Sequence, residues 1–236
     1  MSHNIIIFHK IKFYNKSFTY LLRKIKKGGY LVAPAAYSLS LINYNHAYYN
    51  ALKKSSIAIL DSGFFCILLR LFRLAKVKKL SGYSFLKNFI SSSTVKGSLL
   101  LTIDPNKKES KINHLFLKKN KFYRIASYIA PNYSKCNIKN DNKIILMIKK
   151  IKPKYILINI GGGKQEVLAE YLYNKINKKI SILCLGAAIS FFTGCQATIS
   201  TRVDKYYLGW LARWMHSPLS FFKRILISFT LIKLFF

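Results

Sequence analysis

The chain has 236 residues, 51% of them hydrophobic, enough for one α/β domain with a substantial core, alone or with an appendage. Its 40 Lys and Arg against 7 Asp and Glu give a net charge of +33, which points to an anionic partner: a membrane surface, nucleic acid or a phosphorylated substrate. Four cysteines with no C-x-x-C pair and five histidines with no ligand-spaced pair argue against a disulfide framework and a zinc site, and the apolar run Ile5 to Phe8 is too short for a secretory signal. Lys, Asn and Ile are abundant along the whole chain, so part of the charge reads as nucleotide composition rather than selection.

From the N-terminus, Met1 to Gly29 interleaves Lys and Arg with Phe, Tyr, Leu and Ile. It predicts a strand and a basic helix ending at Gly28-Gly29, either a solvated face or a membrane-contacting arm. Tyr30 to Pro34 predicts a strand, and Leu39 to Lys54 a helix. Ile57 to Gly63 predicts an apolar strand ending in Asp61 and a small-residue turn. A carboxylate at the C-terminal end of a parallel strand stands where open α/β sheets bind ligands. Asp61 is therefore the first candidate for a catalytic base, the alternative being a cap for the helix at Phe64 to Leu74. Lys76 to Leu80 connects to a helix over Phe85 to Ile90. Gly97 to Ile103 predicts a strand and Lys107 to Asn120 an exposed basic helix. Asp104, Glu109 and Asp141 fall in polar stretches and read as loop or cap residues. Ser127 to Tyr133 predicts a strand, Lys135 to Lys143 a loop and Ile144 to Lys150 a helix.

Tyr155 to Ile160 is a β-branched apolar run, the mark of a buried strand. Gly161-Gly162-Gly163 follows, then Lys164-Gln165-Glu166 and an apolar-periodic helix. Glycines let backbone approach a ligand, and a helix start favours anions. Gln165 both donates and accepts, as sugar hydroxyls require. The same residues also suit an ordinary β–α turn, and Glu166 an ordinary first-turn acid. Ile180 to Leu185 predicts another buried strand, ending in the small residues Gly186-Ala187-Ala188, a second place where backbone can approach a ligand. Tyr206 to Met215 predicts an aromatic helix. Leu219 to Phe236 is apolar but interrupted by Lys223, Arg224 and Lys233, which suits an interfacial helix better than a spanning one, with a core helix as the alternative. Strand and helix signals alternate, which predicts a Rossmann-like, mostly parallel sheet with helices on both faces. The expected divisions are a basic segment at 1–29, an α/β domain at 30–205 and a membrane-contacting helical appendage at 206–236.

Several of these segments together resemble the WecG/TagA/CpsF glycosyltransferases (glycosyltransferase family 26), from about Tyr30 to Arg224. The family's G-x-P-K-Q-E resembles Gly161 to Glu166, with Gly163 in place of proline. Its G-G-x-x-D-x-x-x-G resembles Gly186 to Gly194, with Ser190 near the aspartate. Its G-L-E-W-x-x-R-L resembles Leu208 to Trp214, with Gly209 in place of glutamate. Its strand-end Asp-Gly resembles Asp61-Ser62-Gly63, and its G-x-D-L resembles Gly82 to Phe85. Two motifs are missing: T-x-N, near Ala33-Pro34-Ala35, and R-A-P, near Thr198-Ile199-Ser200.

The resemblance implies inverting transfer of a sugar, N-acetylmannosamine-like or another hexose, from a UDP-sugar to a polyprenyl-linked acceptor. It places that reaction peripherally at the cytoplasmic face of the bacterial inner membrane, with no metal or other cofactor. Asp61 inherits the role of base and Gln165 that of orienting the sugar. The turns at Gly161, Gly162, Gly163 and at Gly186, Ala187 would hold the nucleotide, and Lys164 or Arg213 would meet the diphosphate. The missing motifs keep open a second reading, a catalytically inactive sugar-nucleotide-binding or scaffold member of the same fold. A nucleic-acid partner rests on charge alone and is set aside, because no recognised motif accompanies it. The oligomeric state is open, a homo-oligomer included.

Overall fold

The computed structural model describes residues 4–73, 76–134, 137–186, 188–195 and 218–236. Eight strands form one sheet in the order β1-β2-β4-β3-β8-β7-β5-β6. They are β1 (Ile5–Phe8), β2 (Ile11–Tyr14), β3 (Gly29–Val32), β4 (Ile57–Ile59), β5 (Leu100–Asp104), β6 (Ile125–Ile129), β7 (Tyr155–Ile158) and β8 (Ser181–Cys184). β1 pairs antiparallel with β2, and every other pairing is parallel. The mostly parallel α/β sheet expected from the sequence is therefore present.

Covered parallel strands must be apolar on both faces, and the central ones are. Tyr30, Val32, Ile156, Ile158 and Ile182 pack on one side of the sheet. Leu31, Tyr155, Leu157 and Leu183 pack on the other. The first layer is covered by α3 (His46–Lys53), α4 (Gly63–Arg73), α7 (Asn142–Ile151) and α8 (Lys164–Lys175). The second is covered by α1 (Phe18–Ile25), α5 (Gly82–Ser91), α6 (Lys107–Lys119) and α9 (Ala188–Thr193).

Three local expectations change. The helix expected from Leu39 is broken: a single turn, α2 (Ala36–Leu39), is followed by a turn, and α3 starts where the Asn45 side chain accepts the Tyr48 N–H at 3.0 Å. Residues 107–119 are not simply an exposed helix, because Ser110, Asn113 and Leu117 of α6 are buried. Asp104 is neither loop nor cap. It is the fully buried last residue of β5, and its carboxylate accepts from Thr102 Oγ1, Asn113 Nδ2 and Asn159 Nδ2, each at 2.7 Å. A buried carboxylate is tolerated only with such donors. Asp141 does cap α7, accepting the Ile144 N–H, and also takes the hydroxyls of Tyr128 and Tyr133.

At the C-terminal end, α10 (Pro218–Phe229) runs into a 3-10 turn over Thr230–Phe235. Leu231 is fully buried in the first layer. Phe235 lies against the rings of Phe8, Phe65 and Phe72, and the Leu234 carbonyl bonds His9 Nε2 at 2.8 Å. Residues 231–235 therefore help to complete the core beside β1. No described helix is long and apolar enough to cross a membrane. Leu231→Ala is expected to lower stability by about 2–5 kcal/mol, seen as a lower urea midpoint at unchanged slope.

Candidate active site

The strand order brings four chain segments to one edge of the sheet. The carboxyl ends of β4, β3, β8 and β7 lie side by side, with Asp61, Ala33, Gly186 and Gly161 leaving in that order. β4 and β8 flank β3, so Asp61 and Gly186 start about 10 Å apart at ordinary strand spacing.

Asp61 is not the cap of α4. Ser62 Oγ takes that part, accepting the Phe65 N–H at 3.2 Å. Asp61 turns instead to the start of α5, where its Oδ1 accepts the Gly82 N–H at 2.7 Å. Only glycine fits there, since a Cβ on residue 82 would lie 2.9 Å from the Leu185 carbonyl and 3.4 Å from Ala33 Cβ. That close approach ties Asp61 to the ends of β3 and β8.

The second half of the site is the turn after β7. Gly161 and Gly162 are exposed, and among the described residues their N–H groups make no hydrogen bond. Gly163 has φ +88°, a conformation that favours glycine, and its N–H is already used: Glu166 Oε2 accepts it at 2.7 Å. Gln165 and Glu166 are both buried, at 1% exposure. Gln165 Nε2 donates to Glu166 Oε1 at 2.9 Å, and Gln165 Oε1 accepts the Gly186 N–H at 3.1 Å. Gln165 thus bridges the two glycine turns. Lys164 is exposed, and its ammonium donates to Ser134 Oγ in the connection after β6. Ala187 and Arg213, and with them the matches over Leu208 to Trp214 and Thr198 to Ser200, lie outside the described residues.

Tyr48, at the start of α3, links the two halves. Its hydroxyl is buried and makes no well-formed hydrogen bond among the described residues, though the Ser38 side chain acts on it as a weak partner that favours the phenolate. Burial first, and then the charges of Glu166 and Asp61, raise the phenol well above its ordinary range. Ser38 of α2 stands beside it and also beside Gly162, where a Cβ would meet Ser38 Oγ at 3.4 Å. Burial likewise pushes the Glu166 carboxyl up to about 7, against the pull of its own N–H, the Gln165 amide and the Gly163 N–H.

The sequence singled out Asp61, Gln165 and the glycines, and the fold brings Asp61, Gln165, Gly161, Gly162 and Gly186 to one sheet edge. It missed Tyr48, Ser38 and the use of the Gly82 N–H. Of these, only Gly82 left a local signal, as a glycine between a helix cap and a helix. Among the described residues no three His, Cys, Asp or Glu side chains stand together as metal ligands.

The profile of the WecG/TagA/CpsF glycosyl transferase family matches residues 6–236. The chain belongs to this family. It is thus a glycosyltransferase by descent, with a sugar-nucleotide donor and an acceptor implied. No curated protein matches it closely enough to refine that assignment. The match reaches upstream of Tyr30, where the sequence resemblance began, and includes most of the N-terminal hairpin.

The Glu166 carboxyl makes stability depend on pH. Its folded value, about 7, lies above its ordinary value of 4.5, so the folded state holds the proton more tightly than the unfolded one. Its stabilising contribution is therefore complete below about pH 4.5 and lost as pH rises through about 7. The loss should approach about 3 kcal/mol, and Glu166→Gln should flatten that part of a pH series of urea midpoints.

Proposed function

We propose that this glycosyltransferase moves a hexose, N-acetylmannosamine-like or another, from a UDP-sugar to a polyprenyl-diphosphate-linked acceptor, with inversion at the anomeric carbon. The observation that carries the reading is Asp61. It sits half-buried at the ligand-binding end of the sheet, relieved of helix capping by Ser62 and held by the Gly82 N–H. A single carboxylate suffices for inversion. The acceptor oxygen attacks C1, its proton passes to Asp61, and the bond from C1 to the diphosphate oxygen breaks to release UDP. The departing charge needs donors. The open N–H groups of Gly161 and Gly162 at the start of α8 supply them, with the nearby Lys164 as a cation and Arg213 as the further cation that the family motif suggests.

A polyprenyl acceptor requires a membrane, whose cytoplasmic face the family implies, and two surfaces support peripheral contact with a bilayer. The helix α10 exposes Phe222, Leu226 and Phe229 beside Lys223 and Arg224. The helix α4 exposes Ile67, Leu71 and Phe72, with the 91%-exposed Phe236 packed on Phe72. Apolar side chains flanked by cations suit an anionic leaflet, each cation adding about 1 kcal/mol. Surface-polysaccharide synthesis is the setting such an acceptor implies.

One observation favours the inactive, sugar-nucleotide-binding reading. Ala33, Pro34 and Ala35 leave β3 in the middle of the site, where the family carries T-x-N, and alanine and proline side chains bring no donor. Purified protein supplied with membranes and a panel of UDP-sugars decides between the two. Acceptor-dependent UDP release with one donor is expected. Asp61→Asn keeps an oxygen for Gly82 and should keep the fold, yet lose more than about 100-fold in turnover. Full turnover in that variant would remove Asp61 from the mechanism.

A further inference from the structure

The transfer step above gives Glu166 no part, yet Glu166 holds one end of the Gln165 amide, as the Gly186 N–H holds the other. The Gln165 amide is gripped at both ends, by the Glu166 carboxyl at Nε2 and by the Gly186 N–H at Oε1. A backbone N–H only donates, so the end of the amide toward β8 must be oxygen. An ionised carboxylate only accepts, so the other end must be nitrogen. Turning the amide over would set nitrogen against nitrogen and oxygen against oxygen. Nε2 carries two hydrogens, and Glu166 takes one.

We propose that Glu166 is a positioning residue: it locks the Gln165 amide so that the second Nε2 hydrogen is presented to an oxygen of the donor sugar between the turns after β7 and β8. This rests on the transferase reading and names the residue that sets sugar orientation within it. Glu166 itself does not touch the sugar. Its other link, to the Gly163 N–H at 2.7 Å, ties the same carboxyl to the turn that meets the diphosphate. Protonation turns one carboxyl oxygen into a donor and sets it against one of the two N–H groups, so the lock works in the ionised form. The titratable groups facing the carboxyl are Tyr48 from α3 and Cys184 from β8, both raised by burial and by its charge, so they stay neutral through this range. From β3, Tyr30 faces Glu170. In the 3-10 turn Ile138–Asn140, Lys139 is exposed. The charge of Asp61 also acts on Tyr48.

Two variants separate orientation from support. Glu166→Gln keeps the shape but cannot satisfy Gly163 N–H and Gln165 Nε2 together. The exchange of Gln165→Glu with Glu166→Gln rebuilds every hydrogen bond from residue 163 to residue 186, but leaves no amide N–H at position 165. Glu166→Gln should lower kcat/KM for the UDP-sugar that the wild type uses by about 10- to 100-fold, the cost of one hydrogen bond to a charged group. Its Kd for UDP alone should stay within about twofold, since the uniform part of binding is untouched. The exchange variant should recover the wild-type Tm but not turnover. In wild type, the side-chain amide NMR signals of Gln165 should titrate with an apparent pKa near 7, and in Glu166→Gln that titration should vanish. Amide signals indifferent to both pH and Glu166→Gln, or turnover restored by the exchange, would overturn the proposal. If wild type releases no UDP while the amide signals follow Glu166, the transferase reading falls and the lock stands.

Discussion

The site depends on one buried carboxyl. Without the Glu166 carboxyl, the first turn of α8 would have no acceptor for the Gly163 N–H, and the Gln165 amide would be held at one end only, by the Gly186 N–H. Burial opposes the charge and three donors favour it, so the group sits between its two states near neutrality. The two states have opposite merits. The protonated form suits the fold, because it removes an unpaired charge from the interior. The ionised form suits the lock on Gln165. Stability and the sugar orientation proposed for Gln165 would therefore pull in opposite directions across one carboxyl, a trade that functional sites commonly make.

The basic residues, by contrast, stay out of the interior: among the described residues no Lys or Arg is buried. Among the described residues one ion pair forms, Lys54 with Glu170 at 2.6 Å. Other cations lie over aromatic rings or face solvent. Lys24 lies over Tyr14 and Lys178 over Tyr173, in contacts of modest strength. The interior is held by aliphatic strands and by a few polar networks; Asp104, with three donors, is the centre of one, in which Asn113 Oδ1 has no hydrogen-bond partner among the described residues.

Much of this was legible in the residues. Covered parallel strands leave a plain mark, a short run of Ile, Leu and Val bounded by glycine or a charge, and β4, β5, β7 and β8 all carry it. Asp61 was legible because its position relative to such a run is local. Asp104 was not. Its partner Asn113 lies a helix turn or more downstream and Asn159 two strands later, so the lysines that follow it dominated the local pattern. Tyr48 left no local signal of its role, because its place between Asp61 and Glu166 comes from α3 packing on α8, which no window of sequence contains. Gln165 and Glu166 stood out as a pair, yet their burial is imposed by β8 and α3. Only that burial separates a first-turn acid that merely faces the helix dipole from one that holds an amide in place.

The position of β8 has a consequence for how the protein is made. β8 lies between β3 and β7, with Tyr30 paired to Ile182 and Ile156 paired to the same residue from the other side. Until residues 181–184 leave the ribosome, β3 and β7 each present an unpaired apolar edge, and the two halves of the sheet have no seam between them. Such edges invite pairing with other chains, and parallel contacts this distant in sequence close slowly. A nascent chain stalled before β8 would hold both halves nearly complete and still be sticky. The last central strand to be synthesised is thus the one that turns two adhesive fragments into a single sheet, and in the same step it supplies the Gly186 N–H on which the Gln165 amide rests.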